Sequence, residues 1–388
     1  MKKHILSTHE LDVGYGKKTV VGNISLDIER GRIVCLIGPN GAGKSTILHT
    51  LAGLIKPLRG NIKLDGNDIN KIKRSEIAKK ISLVLSGSEM PNLTTVYELV
   101  SFGRAPYTGY FGKLSKKDHE IVKEALLRVG AYELRDRFCS ELSDGEKQKV
   151  MIARAIVQQP ELFILDEPTS HLDISHKIEV MRILTALTVE NGLTVLMSLH
   201  DIDLALKYCD DIIAVKNGQI TAYGPPEQVI KNGDINKLFD VNNAEFIETL
   251  GSLEIKGPEK ADVFIVGCGD SVYNLARTLT RNGVGVSCGI MHETDVDAII
   301  CSITCSYVAK APSYTEFTSE ILSSAKKEME SCAVVIDSGF VRNNATSFNS
   351  LLIEHADKIK KPVLSVSDFQ NNDALLQSIL TLLRRENK

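Results

Sequence analysis

The sequence predicts an α/β protein in two units. The larger has a parallel core sheet, an antiparallel β layer ahead of it and a helical insert. The smaller, C-terminal unit is Rossmann-like. Three observations carry this reading. The apolar runs "RIVCLI" (32–37), "LFIL" (162–165), "TVLMSL" (194–199) and "DIIAV" (211–215) are too continuous for half-exposed strands and suit a sheet covered on both faces. Between them lie stretches with apolar positions three and four apart, the helical period. Near residue 257 the texture breaks at "GSLEIKGPEKAD", where glycine, proline and charge collect as in a linker, and a second alternation begins.

In chain order, residues 5–29 alternate in the manner of short antiparallel strands. The strand 32–37 is bounded by Gly31 and Gly38, and a helix follows from Lys44 to near Gly53. "SLVL" (82–85) is another strand, and residues 94–140 read mainly as helices, including "KKDHEIVKEALLRVG". "LSDGEKQKV" (142–150) opens the next helix, which runs to Gln159 and stops at Pro160. Ser143 and Glu146 have the spacing of a capping box, and Gly145 leaves the first turn bare. A helix start of this kind favours an anion, yet no lysine stands where a phosphate-gripping loop would put one. The units are expected at 1–256 and 257–388. In the second, "DVFIVG", "VGVSCG", "AVVIDSG" and "PVLSVSD" read as four strands, with helices such as "SVYNLARTLTRNG" and "FTSEILSSAKKEMES" between them. Right-handed crossovers then make a Rossmann-like layer.

With 388 residues, 43% hydrophobic and 24% charged, the chain suits two globular domains. The formal net charge of −3 predicts no nucleic-acid partner. No apolar run nears the ~18 residues of a bilayer span, and the start "MKKHILSTHELDVGYG" lacks the apolar core of a secretory signal. The expected compartment is the cytoplasm. Its eight cysteines are then reduced thiols. Cys301 and Cys305 lie four apart, not as CxxC, and read as buried apolar thiols.

"GPNGAGKST" (38–46) follows a strand, opens a helix and matches G-x-x-x-x-G-K-[ST] in full. Backbone N–H groups from Gly38, Asn40, Gly41, Ala42, Gly43 and Thr46 surround a phosphate in such a loop, in which Pro39, with no N–H, supplies position only. Lys44 bridges the β- and γ-phosphates of ATP, and Ser45 offers its hydroxyl to Mg²⁺. "LFILDEPTS" (162–170) supplies the acids: Asp166, at a strand's C-terminal end, for Mg²⁺, and Glu167 as general base toward water. His200 in "SLHD" ends another strand and is expected to reach the γ-phosphate.

Together these pieces resemble the nucleotide-binding subunit of ABC transporters over residues 5–240. The motifs stand in family order: an aromatic A-loop residue Tyr15, Walker A 38–46, signature 142–146, Walker B 162–167, D-loop "SHLD" 170–173 and switch His200. The resemblance implies an ABC-type P-loop ATPase domain. It implies that Ser143, Gly145 and Glu146 hold the γ-phosphate of ATP bound to a partner copy. It also implies that Tyr15 stacks on adenine and that Asp173 links two composite sites. The chain carries one such domain, so the resemblance implies a homodimer.

Two positions depart from the pattern. Asp144 stands where glycine is commonest, and Ser86 in "LVLSGS" occupies the Q-loop glutamine's place, where it reaches Mg²⁺ or water less far. The stretches 98–126, with "GR-P-Y" and a later Asp, and 199–230 resemble ATPases of importers for iron-siderophores, haem and cobalamin. That resemblance implies a polytopic membrane permease, a substrate-binding protein met indirectly, and a place on the cytoplasmic face of the membrane. The second unit faintly resembles the C-terminal extension of some archaeal cobalamin-import ATPases. "GCGDS" (267–271) lacks the third glycine of a dinucleotide fingerprint and reads as a tight turn, or as the place of a corrinoid or nucleotide if the unit binds one. Asp295 and Asp297 read as solvated. The alternative is a non-transport ABC ATPase or a sensor governed by its C-terminal domain.

Overall fold

The computed structural model describes residues 3–87, 90–109, 112–230, 234–247 and 249–386. Ser88 of the "LVLSGS" strand end and residues 110 and 111 of the 98–126 stretch lie outside the described residues.

The chain opens with two long strands, β1 (His4–Tyr15) and β2 (Lys18–Glu29), paired antiparallel about a turn at Gly16. Strand β3 (Ile33–Ile37) is buried throughout and feeds the loop before helix α1 (Lys44–Leu51). Strands β4 (Arg59–Leu64) and β5 (Asn67–Asp68) complete a four-stranded antiparallel sheet in the order β2-β1-β4-β5. Helix α2 (Arg74–Lys80) leads into β6 (Ile81–Val84). The helical insert is α3 (Val96–Ser101), α4 (Lys116–Arg128) and α5 (Asp144–Ile156). Then come β7 (Leu162–Leu165), α6 (Ile174–Asn191), β8 (Thr194–Ser198), α7 (Ile202–Tyr208), β9 (Asp211–Lys216), β10 (Gln219–Gly224) and the short helices α8 (Pro226–Ile230) and α9 (Asp234–Leu238).

The central sheet runs β10-β9-β3-β8-β7-β6. Its pairs are parallel except β10 on β9. Alternate residues of each strand serve different cores, as a sheet covered on both faces requires. Cys35, Phe163, Leu165 and Met197 pack with the helical insert and α6. Leu36, Ile164, Leu196 and Ile213 pack with α1 and the antiparallel layer.

Each helix of the insert starts on a capping box: Thr95 with Glu98, Ser115 with Asp118, Ser143 with Glu146. The "GR-P-Y … D" pattern has a physical reason. Arg104, 5% exposed, donates from Nε to Asp118 Oδ1 at 2.7 Å and from Nη1 to Val157 O at 2.7 Å. Tyr107 lies against the guanidinium at 4.0 Å. Hydrogen bonds from Ser115, seconded by Arg104, bring the Asp118 carboxyl down to about 2.

The second unit begins at Asp240, not at 257 as the composition suggests. "GSLEI" is not linker: β11 (Ala244–Ile247) and β12 (Ser252–Ile255) form an antiparallel hairpin, and Glu254, 5% exposed, pairs with Arg277. A charged pair hides the hairpin in a linker-like composition. The rest is β13 (Val263–Val266), α10 (Tyr273–Arg281), β14 (Val286–His292), α11 (Val296–Thr304), β15 (Tyr307–Ala311), α12 (Ser319–Ser331), β16 (Val334–Asp337), α13 (Ser347–Lys358), β17 (Val363–Ser365) and α14 (Asn372–Glu386). Five parallel strands, not four, order as β15-β14-β13-β16-β17, the nucleotide-fold order 3-2-1-4-5 for this unit. The missed strand is an edge, "YVAKA", with Lys310 outward.

Candidate functional site

The loop 38–43 turns at the C-terminal end of β3. Gly43 has φ 103°, and a Cβ there would strike the side chains of Val20 and Val21. Only glycine lets the loop enter α1 against the β1–β2 hairpin. Lys44, 5% exposed, donates from Nζ to Gly38 O at 2.8 Å and Pro39 O at 3.0 Å. Its ammonium thus closes over the loop that precedes it. Burial lowers its pKa, opposed by the charges of Glu167 and Asp166.

Asp166 leaves the end of β7 3% exposed and is ringed by hydroxyls. Ser45 Oγ donates to Oδ1 at 3.0 Å, Ser198 Oγ to Oδ1 at 2.8 Å, and Ser86 Oγ to Oδ2 at 3.3 Å. His49 Nε2 stands 3.6 Å from Oδ2. Glu167, at φ 53°, points its carboxylate otherwise. His200 Nε2 meets Oε1 at 2.6 Å and Ser170 Oγ donates to Oε2 at 3.0 Å. Burial pushes this carboxyl up, but the hydrogen bonds of His200 and Ser170 prevail and hold it below its ordinary value. The carboxylate is therefore ionised at neutral pH beside the His200 ring. A cleft of 810 Å³ opens beside both acids, lined in part by Ser86, Lys147, Gln148 and His171.

At α5, Ser143 Oγ caps Glu146 N at 3.4 Å, and Glu146 Oε2 accepts from Ser143 N at 2.8 Å. Ser143 and Asp144 are exposed, so the helix start faces outward despite the missing glycine at 144. Gly145 is buried: a Cβ would run into the His176 ring. That ring is fixed by Asp173, which caps α6 and accepts from His176 N at 2.9 Å, with His176 Nδ1 at 2.8 Å. Tyr15, at the tip of the β1–β2 hairpin, is 57% exposed.

One part of the chain thus brings together the loop lysine, the two strand-end acids, Ser45, Ser86 and His200. Residues 21–170 match the ABC transporter family. An uncharacterized ABC transporter ATP-binding protein of Methanocaldococcus jannaschii is 42% identical over 287 residues, 74% of this chain and 99% of that protein. The chain belongs to the ABC transporter ATP-binding proteins. This ABC protein binds and hydrolyses ATP.

The iron(3+)-hydroxamate import ATP-binding protein of Bacillus subtilis is 38% identical to the ABC protein over 237 residues, 61% of this chain and 88% of that one. The cobalamin import ATP-binding protein of Halobacterium salinarum is 33% identical over 295 residues, 74% of each chain. The dimeric ATP-binding cassette MJ0796, solved with ADP and phosphate, superposes with a TM-score of 0.51 at 28% identity, covering 57% of this chain and 98% of that one. Residues 286–387 match the MJ0874 family.

Sequence reasoning missed Ser198, His49, Ser170 and His176. Ser198 was signalled: its hydroxyl closes the apolar run "VLM" at the C-terminal end of β8. His49 carries no local mark, because Asp166 lies on a separate element; Ser170 and His176 stand three residues after Glu167 and Asp173, a spacing that allows each contact without announcing it. In the second unit, Asp297 is not solvated. It is 0% exposed and accepts from Tyr273 N at 2.7 Å and Val272 N at 3.2 Å. Its own carboxylate fills the anion position at the start of α10, so the turn 267–271 has no free helix end for a nucleotide phosphate. Asp295 is half-buried: it caps α11, accepting from Asp297 N at 3.0 Å, and also accepts from Gly269 N at 3.2 Å.

Proposed function

We propose that this ABC ATPase is the engine of an importer for a metal chelate: cobalamin, an iron-siderophore or haem. It works as a homodimer on the cytoplasmic face of the membrane, against a polytopic permease that a substrate-binding protein supplies. Relatives named for iron(3+)-hydroxamate and cobalamin import support the substrate class. No helix among the described residues is long and apolar enough to cross a membrane; in this reading a separate permease supplies the path.

The observation that carries the catalytic reading is the split of the two acids: Asp166 toward Ser45 and Ser86, Glu167 toward His200. In our reading Glu167 takes the proton of the water that attacks the γ-phosphorus, as the bond from that phosphorus to the ADP oxygen breaks. His200 orients Glu167 and the γ-phosphate. Lys44 leaves the carbonyls of Gly38 and Pro39 for the β- and γ-phosphates, which the N–H groups of residues 38–46 other than proline wrap. Tyr15, exposed at its hairpin tip, stacks on adenine. Ser143, Gly145 and Glu146 present their helix start to the γ-phosphate held by the partner, and Asp173 joins the two sites.

The donor set Ser45, Ser86 and Asp166 is all oxygen, which suits Mg²⁺. These three would hold the ion, which neutralises phosphate charge when bound. Ser86 already reaches Asp166, so the Q-loop position keeps an oxygen there with a shorter arm.

The test is reconstitution. The ATPase, its genomic neighbour permease and binding protein in vesicles should couple ATP hydrolysis to uptake of one chelate class. Stimulation of hydrolysis by none of cobalamin, ferric hydroxamate or haem would remove the importer assignment.

A further inference from the structure

Cys288 on β14 and Cys301 and Cys305, in and just after α11, converge in the core of the second unit. Their three sulfurs lie within 4.8 Å of one another. Cys288 and Cys301 are 0% exposed and Cys305 9%. The spacing of 301 and 305 puts both on one side of the helix, over the strand that carries Cys288. We propose that these thiols form a trigonal site for one soft, thiophilic d¹⁰ cation of the Cu(I) class.

The geometry is close to what such an ion needs. Three sulfurs at about 2.3 Å from a shared ion stand about 4 Å apart in a plane. Cys288 Sγ and Cys305 Sγ are 3.9 Å apart here. The chemistry selects the ion. Thiolates prefer soft cations. The three cysteines belong to an apolar core with Val286, Leu275, Val263 and Ile336, and among the described residues the group contains three ligands and no fourth. Structural zinc takes four ligands almost without exception, so a closed three-sulfur site is a poor zinc site. Around Cys305, Thr304 Oγ1 lies 3.9 Å from the sulfur as an outer partner. Cys305, the one residue of the three with residual exposure, marks the entry side. Binding displaces thiol protons to solvent, and the ion enters already as Cu(I), so no oxidant or reductant takes part.

The test uses the full chain, reduced and anaerobic, titrated with Cu(I) against bicinchoninate. The expected result is one Cu(I) retained per chain, a sulfur-to-copper charge-transfer band in the near ultraviolet and an X-ray absorption shell of three sulfurs. Cys288→Ala and, separately, Cys305→Ser should lose that equivalent. Cys268→Ala, outside the cluster, should keep it. All proposed ATPase residues lie in the first unit, so an unchanged ATPase rate shows that this unit is intact, and an unchanged circular dichroism spectrum and unfolding midpoint show that the second unit of each variant is folded. No copper held against the competitor, the same stoichiometry in both cluster variants, or Zn²⁺ held in preference to Cu(I) would overturn the proposal.

Discussion

Ser198 Oγ lies 2.8 Å from Asp166 Oδ1 and accepts from Glu167 N at 2.9 Å, so one hydroxyl fixes both acids of the site from the neighbouring strand. Ser198→Ala leaves a buried carboxylate oxygen with one partner fewer and the Glu167 N–H unpaired, a cost of about 1–3 kcal/mol. The expected result is a kcat lower by roughly tenfold, with ATP affinity within about twofold. Steady-state kinetics with a nucleotide-binding assay separate the two. A fall confined to affinity would place Ser198 outside the catalytic geometry.

Gly145 is required by the His176 ring beside it. Gly145→Ala should destabilise the first unit by about 1–3 kcal/mol through overpacking. His176→Ala in the same chain removes the obstacle and should recover more than half of that loss. A double-mutant cycle by denaturant unfolding measures the coupling. Additive effects would show that the two residues do not meet.

The hydrogen bonds of Ser115 to Asp118, seconded by Arg104, give the helical insert an acid limit. Asp118 is held at about 2 in the folded protein, below an unfolded value of about 3.9. A lowered carboxyl contributes stability that is complete above the unfolded pKa and vanishes as pH falls through the folded one. Unfolding midpoints should therefore drop between about pH 4 and pH 2 in the wild type, and less steeply in Asp118→Asn. At neutral pH, Asp118→Ala strands the buried Arg104 and should cost about 3–5 kcal/mol. A midpoint profile of Asp118→Asn parallel to the wild type would exclude Asp118 as its source.

The turn at Gly267–Ser271 should not bind ATP, because Asp297 occupies the adjoining helix start. With the first-unit site disabled by Lys44→Ala, calorimetry on the full chain should show no residual adenine-nucleotide binding. Binding that persists in Lys44→Ala and disappears in a further Ser271→Arg variant would contradict this.

Much of the first unit was legible because its signals are local. A continuous apolar run such as "LFIL" marks a strand buried on both faces, and "GPNGAGKST" carries its geometry in its glycines. The contacts that join elements were not legible. Nothing near Gly145 in sequence announces His176, and nothing in "GSLEI" announces that Glu254 pairs with Arg277. Asp297 misled for the same reason: an acid after a strand reads as solvated until the helix whose N–H groups it caps is in place. The third sulfur of the cysteine group, Cys288, sits on a strand remote from the 301–305 pair, so spacing alone could not gather them.

The central claim is that two copies of this chain close over ATP, each completing the other's site, with Glu167 as the base. Glu167→Gln preserves shape and the contact with His200 while removing the base. The direct measurement is light scattering of that variant with Mg²⁺ and ATP, alongside its hydrolysis rate. We predict a stable dimer holding two ATP, turnover reduced by at least about a hundredfold, and loss of the dimer when Ser143→Arg is added. A variant that stays monomeric with ATP bound, or hydrolyses ATP at near the wild-type rate, would contradict the account.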